Sequence, residues 1–273
     1  MSKMIGTIIN DCADRNARAR QELRFKSLFG VQPSFLGVES YDAIGAAGNL
    51  IDQLDVLVNF PLADKDSQAI VLVNVAPRSL AIKQKWDNGT PFCYFWVEHV
   101  LVVTTYEGHC LALARDLGIV GEVELLHPAK VTAAAVAWGD LTPAQAGKIT
   151  NSQFRSLEFL PLVAYWLSQG KPVPSEKLSL ADLPSLKGQV WSVDNFGNLK
   201  TTLSPEDVDF HEGKEIKLSS GGTAACYSRC ADWRYCSYHW QLGLWQPSIF
   251  RGSHRPPRPS RHSARSQGGL SGC

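Results

Sequence analysis

Ala69-Ile70-Val71-Leu72-Val73-Asn74-Val75 is the stretch that decides the fold. This apolar run, followed at once by Ala76-Pro77-Arg78-Ser79, reads as a central strand buried on both faces, the mark of a parallel sheet. Toward the amino terminus, residues 5–10 read as a buried first strand that ends in Asp11. The polar corner Asp11-Cys12-Ala13-Asp14 then leads into a basic amphipathic helix over 16–29. Residues 33–39 form a short second strand. Ser40 caps a helix over 41–54, where Gly45, Ala46, Ala47 and Gly48 permit close packing on a sheet.

Toward the carboxyl terminus, residues 80–85 and 92–105 read as paired strands around Trp86-Asp87-Asn88-Gly89-Thr90. A helix over 108–117, a strand over 120–126, an Ala-rich helical segment over 129–149 broken at Gly139-Asp140, and a stronger helix over 151–167 follow. Strands alternating with helices specify an α/β domain over 1–175, a mostly parallel sheet flanked by helices. Pro and Ser punctuate 176–187, which reads as a linker. From 188 the pattern is all-β, the start of a smaller and incomplete domain over 188–218.

Composition excludes several classes. The 273 residues are 44% hydrophobic and 19% charged, as in an ordinary globular protein. No apolar run has membrane-spanning length, and the opening residues turn polar too early for a secretory signal, so the expectation is a cytoplasmic protein with no membrane partner. Cys12, Cys93 and Cys110 are scattered along the chain and read as buried free thiols of a reducing compartment. His99, His109 and His127 lack metal-ligand spacing and read as isolated core or surface histidines.

Charge is unevenly distributed. From Ser219 onward there are seven Arg, no Lys and one acid, a net +6; with +1 overall, residues 1–218 carry −5. An acidic body argues against nucleic acid as a partner. Beyond Leu218 the periodicity stops, and Cys, Trp, Arg, His and Pro crowd together as in a coding region read in the wrong frame. A one-base shift at Trp240-Gln241 and at Trp245-Gln246 yields glycine both times, so 219–273 reads as an aberrant, disordered tail after a frameshift near 218–222. A basic tail for RNA or a membrane surface is the competing reading.

Before that tail, Trp191 to Val193 and Leu199, Thr201 and Leu203 alternate as strands around Asp194-Asn195-Phe196-Gly197-Asn198. Such a turn offers a carboxylate, an amide and an aromatic face to a small zwitterion; equally, it is a hairpin that binds nothing. Asp11, where open α/β sheets place ligands, suits a ribose diol, and equally a helix N-cap.

This order of motifs resembles the S-adenosylmethionine hydroxide adenosyltransferases and the adenosyl fluoride and chloride synthases. The match runs over residues 5–203. The resemblance implies that Asp11 binds the ribose diol and that Tyr41-Asp42 stands where the halogenases have Trp-Asp. It sets Val75-Ala76-Pro77 where the family has a strand ending in Tyr-Pro or Asp-Pro, with Ser79 near the residue supporting the nucleophile. Asp194, Phe196 and Asn198 fall on the methionine-binding signature. It also implies an α/β domain followed by a β domain, a homotrimer where the second domain is intact, a small-molecule substrate, and no metal or cofactor beyond the S-adenosylmethionine substrate. The chain departs from the hydroxide-using members. Their Asp-Arg-His trio meets Ala76, Arg78 and the neighbourhood of Gln153-Phe154-Arg155, which lacks a histidine. Phe154, Phe196 and Tyr41 offer dry walls, while Arg78 or Arg155 suits an anionic nucleophile or the substrate carboxylate. The expected reaction is displacement at the adenosyl 5′ carbon; a non-catalytic adenosyl-ligand binder is the alternative.

Overall fold

The computed structural model describes residues 4–59, 67–75, 90–106, 108–195, 198–203, 207 and 209, together with the backbone of three further strands at 215–217, 223–227 and 238–242. Strand β1 (Met4–Asn10) leads through α1 (Arg15–Phe29) to β2 (Ser34–Gly37), then through α2 (Ala43–Leu54) and a π-helical turn (Asp55–Asn59) to β3 (Gln68–Asn74). The hairpin β4 (Phe92–Val97) and β5 (Val100–Thr105) follows, then α3 (Gly108–Asp116), β6 (Glu122–Leu126), α4 (Pro128–Ala137) and α5 (Pro143–Thr150). A single turn α6 (Arg155–Glu158), α7 (Leu160–Ser168) and β7 (Ser175–Ser179) complete this layer set.

The sheet has the order β2-β1-β3-β5-β4-β6-β7. Its first four strands are parallel, with β1 and β3 in register from Met4↔Gln68 to Asn10↔Asn74, and β4, β6 and β7 continue it antiparallel. Two-sided burial explains the apolar run that marked β3. Ala69, Val71 and Val73 face a core shared with Leu50 of α2 and Leu111 of α3, whereas Ile70 and Leu72 face one shared with Phe25 of α1 and Trp166 of α7. Helix α1 lies so close to β1 that a Cβ at Gly6 would fall 2.3 Å from the Phe25 ring. Asp14 caps its start by accepting from the Asn16 and Ala17 amides at 3.0 Å, and Gly30, at φ 76°, ends it.

Four local readings change. Residues 92–105 are a hairpin in themselves, turning at Glu98-His99 with Glu98 at φ 52°; the proposed partner strand at 80–85 lies outside the described residues. The residue that caps α2 is Asp42, which accepts from the Gly45 amide at 2.7 Å; Ser40 and Tyr41 precede the helix. Residues 151–167 divide at Phe159-Leu160-Pro161, because Pro161 has no amide proton to continue the ladder. The segment read as a linker opens with β7, which pairs along β6 from Ser175↔Leu126 to Ser179↔Glu122.

A second, antiparallel sheet holds β8 (Val190–Val193), β9 (Asn198–Thr201), β10 (Glu215–Lys217), β11 (Thr223–Tyr227) and β12 (Tyr238–Leu242) in the order β10-β11-β12-β9-β8. Strands β8 and β9 form the expected hairpin. Strands β11 and β12 fall within the segment read as an aberrant tail, and β12 pairs directly with β9. Residues 243–273 lie outside the described residues.

Candidate ligand site at the carboxyl edge of the parallel strands

From β1 the chain passes to β2 on one side and, through α2, returns to β3 on the other. The sheet therefore has a topological switch point between β1 and β3, and the crevice beyond their carboxyl ends is where such sheets place ligands. Both strands end on a buried asparagine. Asn10 and Asn74 are register partners, and the Asn74 side-chain amide donates to Asn10 Oδ1 at 3.1 Å. Asn10 Nδ2 donates to Gln21 Oε1 of α1 at 2.5 Å, Gln21 Nε2 donates to the Cys12 carbonyl at 3.2 Å, and the Cys12 amide donates to Asn10 Oδ1 at 2.8 Å. This closed relay of buried amides fixes the corner that presents Asp11. No motif in the sequence reading included it; the available signal was that two apolar strands each end on Asn.

Asp11 stands at the switch point, its backbone amide donating to the Asn74 carbonyl at 3.2 Å. Its carboxylate accepts from the backbone amide of Tyr41 at 3.3 Å, joining the exit of β1 to the entry of α2. Tyr41 sits at φ 69° with its side chain 52% exposed, a left-handed conformation that costs a bulky residue about 1–2 kcal/mol. Asp42 is committed to capping α2, and a Cβ at Gly45 would fall 2.1 Å from its Oδ2. The two neighbours have thus divided roles: Asp42 is structural, whereas Tyr41 meets Asp11 through its backbone amide and is half-exposed.

Phe154 and Arg155 come to the same end of the sheet. Phe92, which opens β4, is the register partner of Thr105 at the end of β5, and the Arg155 guanidinium lies 5.6 Å over the Phe92 ring. Arg155 Nη2 donates to the Thr90 carbonyl at 3.0 Å. Its guanidinium is half-buried, burial pulls its pKa below the usual arginine value, and no carboxylate pairs with it among the described residues. Beside it the buried Thr90 hydroxyl has no hydrogen-bond partner among the described residues. Phe154 is 62% exposed and faces Arg20 of α1 at 5.9 Å.

Arg78, Ser79 and Phe196 lie outside the described residues. What is described of their approach is the end of β3, where Thr105 Oγ1 donates to the Val73 carbonyl at 3.4 Å and accepts from the Val75 amide at 3.1 Å. Asp194 follows β8 and Asn198 opens β9, one step beyond the Val193↔Leu199 pair. Their sheet is anchored on α2: Trp191 packs so closely on Gly48 that a Cβ there would fall 2.0 Å from its ring, and Lys200 pairs with Asp52. Lys200 also lies 5.0 Å over the Trp191 ring. One expected buried thiol is not buried. Cys12, at the polar corner, is exposed, whereas Cys93 and Cys110 are enclosed in the sheet and α3.

Likeness to solved structures shows the fold alone. A crystal structure of an uncharacterized conserved protein from Thermotoga maritima is similar at a TM-score of 0.55 and 14% identity, over 88% of this chain and 93% of that one. A conserved hypothetical protein from Thermus thermophilus is similar at 0.50 and 19% identity, over 82% of each chain. No protein-family model matches the chain, and neither does any curated protein. Among the described residues, no helix is long and apolar enough to cross a membrane.

Proposed function

We propose that the chain binds S-adenosylmethionine at the carboxyl edge of β1 and β3 and cleaves it at the adenosyl 5′ carbon. The observation that supports this reading best is the Asp11–Tyr41 contact at the switch point. A carboxylate held by a backbone amide is suited to a ribose diol, and an exposed ring beside it suits either the sugar or the sulfonium. Arg155, lacking a carboxylate partner among the described residues, supplies an anchor at the same edge for an anion, whether the nucleophile or the substrate carboxylate. Asp194 and Asn198 hold the methionine end in this reading, and Arg78, Ser79 and Phe196 complete the set. The second sheet serves as the far wall of the site, in a homotrimer where that sheet is whole.

In the reaction the nucleophile forms a bond to C5′ as the C5′–S bond breaks, and the bonding pair leaves on sulfur as neutral methionine. With water as nucleophile, one proton passes to solvent and adenosine is formed; with an anion, a 5′-substituted adenosine is formed. The protein contributes alignment and the removal of water from the nucleophile. One feature favours the second reading, a binder without catalysis: Gln153-Phe154-Arg155 contains no histidine to take the proton from water, and residue 76 is alanine. Incubation with S-adenosylmethionine, followed by mass spectrometry for methionine and adenosyl products, separates the two. Product at a rate above the buffer control supports the enzyme, and saturable binding without product supports the binder.

A further inference from the structure

A groove of about 700 Å³ opens on the surface formed by α1, α5 and α6, and no candidate for the adenosyl site lines it. Its apolar surface comes from Leu23, Leu141, Ile149, Leu157 and Leu162, of which Leu23 is 68% exposed. A large aliphatic side chain this exposed at the mouth of a groove is apolar area without a partner. The rim is basic. Arg20, Arg24 and Lys148 line it against a single carboxylate, Glu158, which lies 3.8 Å from Lys148 and also acts on Arg24, so three cations share one anion. Arg24 is half-buried, and burial lowers its pKa, opposed in part by the charge of Glu158. No carboxylate pairs with it among the described residues. A half-buried guanidinium that shares the groove's one carboxylate with two other cations is incompletely neutralised, and a further anion there is favourable.

From this charge complementarity we propose that the groove binds a small amphipathic organic anion, a single alkyl chain ending in a carboxylate. The volume lies in the range of small-molecule sites, and apolar lining with few convergent polar groups is their usual character. The chain would lie on Leu23, Ile149 and Leu157 while the carboxylate meets Arg24, with Arg20 beside it. The groove shares no residue with the adenosyl site, although Arg20 at its rim lies 5.9 Å over the Phe154 ring; the test therefore uses Arg24 and Leu23, which make no such contact with a candidate of that site among the described residues.

The test is calorimetric titration of the full chain with decanoate, decanol and decyltrimethylammonium, each below its aggregation limit. Decanoate should bind at one site per chain, at least about tenfold more tightly than decanol, as one charge-assisted contact allows, and the cation should not bind. Arg24→Gln should weaken decanoate about tenfold and leave decanol unchanged. If that variant melts early, Leu23→Glu, at an exposed position, is the second probe and should also weaken decanoate about tenfold. Equal binding of acid and alcohol, absence of decanoate binding, or indifference of binding to the folded variants would overturn the proposal. So would self-association of the chain that Leu23→Glu abolishes, because the groove would then belong to a second copy.

Discussion

Asp11 accepts a hydrogen bond from the backbone amide of Tyr41, thirty residues on, and Tyr41 holds a left-handed backbone to give it. Strain of this kind persists only where the surroundings over-determine it, and it concentrates at functional sites. The contact is also where the two connections of the switch point meet: the exit of β1 and the entry of α2.

The strain can be measured. Tyr41→Gly should be more stable than Tyr41→Ala by about 1 kcal/mol, since glycine adopts the left-handed conformation without a Cβ penalty and both variants lack the ring. Urea denaturation of the pair gives the difference. Equal stabilities would mean that Tyr41 is unstrained.

The docking of the second sheet on α2 has an equally local test. Gly48→Ala places a methyl group against Trp191 and should cost about 1–3 kcal/mol. In the double variant Gly48→Ala/Trp191→Ala, the two losses should fall short of additivity, since the clash needs both side chains. Additive losses would separate Trp191 from Gly48.

Buried acids set the alkaline limit. Burial raises the Cys93 thiol well above its ordinary value of 9.0, and burial, with smaller contributions from Cys93 and Asp182, raises Tyr106. Above pH 9 the unfolded chain releases the Cys93 proton while the folded chain keeps it, so stability falls as pH rises, by at most about 1.4 kcal/mol per pH unit for this group. Cys93→Ala is less stable at neutral pH, yet its deficit should shrink between pH 9 and 11, as denaturant melts across that range would show. By the same burial, iodoacetamide should label Cys12 in the native protein, and Cys93 and Cys110 only after unfolding.

Much of this architecture was legible because two-sided burial leaves a strong trace. The run at 69–75 gave β3 and the parallel neighbours, and the polar turn between Trp191 and Leu203 gave the β8–β9 hairpin. The turn at Glu98-His99 was not legible, since neither residue signals a turn and Glu98 is left-handed without being glycine, asparagine or aspartate. The cap of α2 was displaced by two residues because Ser40 and Asp42 are both good caps, and the choice was settled by Tyr41 bending toward Asp11. The relay of Asn10, Asn74 and Gln21 joins residues up to 64 positions apart, and no local pattern records such a pairing. Arg155 was singled out for its place near the missing histidine; its apposition to Phe92 and Thr90 is a product of the fold.

The adenosyl proposal concentrates on Asp11, so the most direct measurement is calorimetric titration of S-adenosylmethionine into the wild-type chain and into Asp11→Ala. Adenosine serves as competitor, and melting curves confirm that both proteins are folded. The account expects saturable binding to wild type, displaced by adenosine and weakened about 10- to 100-fold in Asp11→Ala, the range for loss of a charged hydrogen-bonding group. Equal affinity for the two folded proteins, or no binding to wild type, would contradict it.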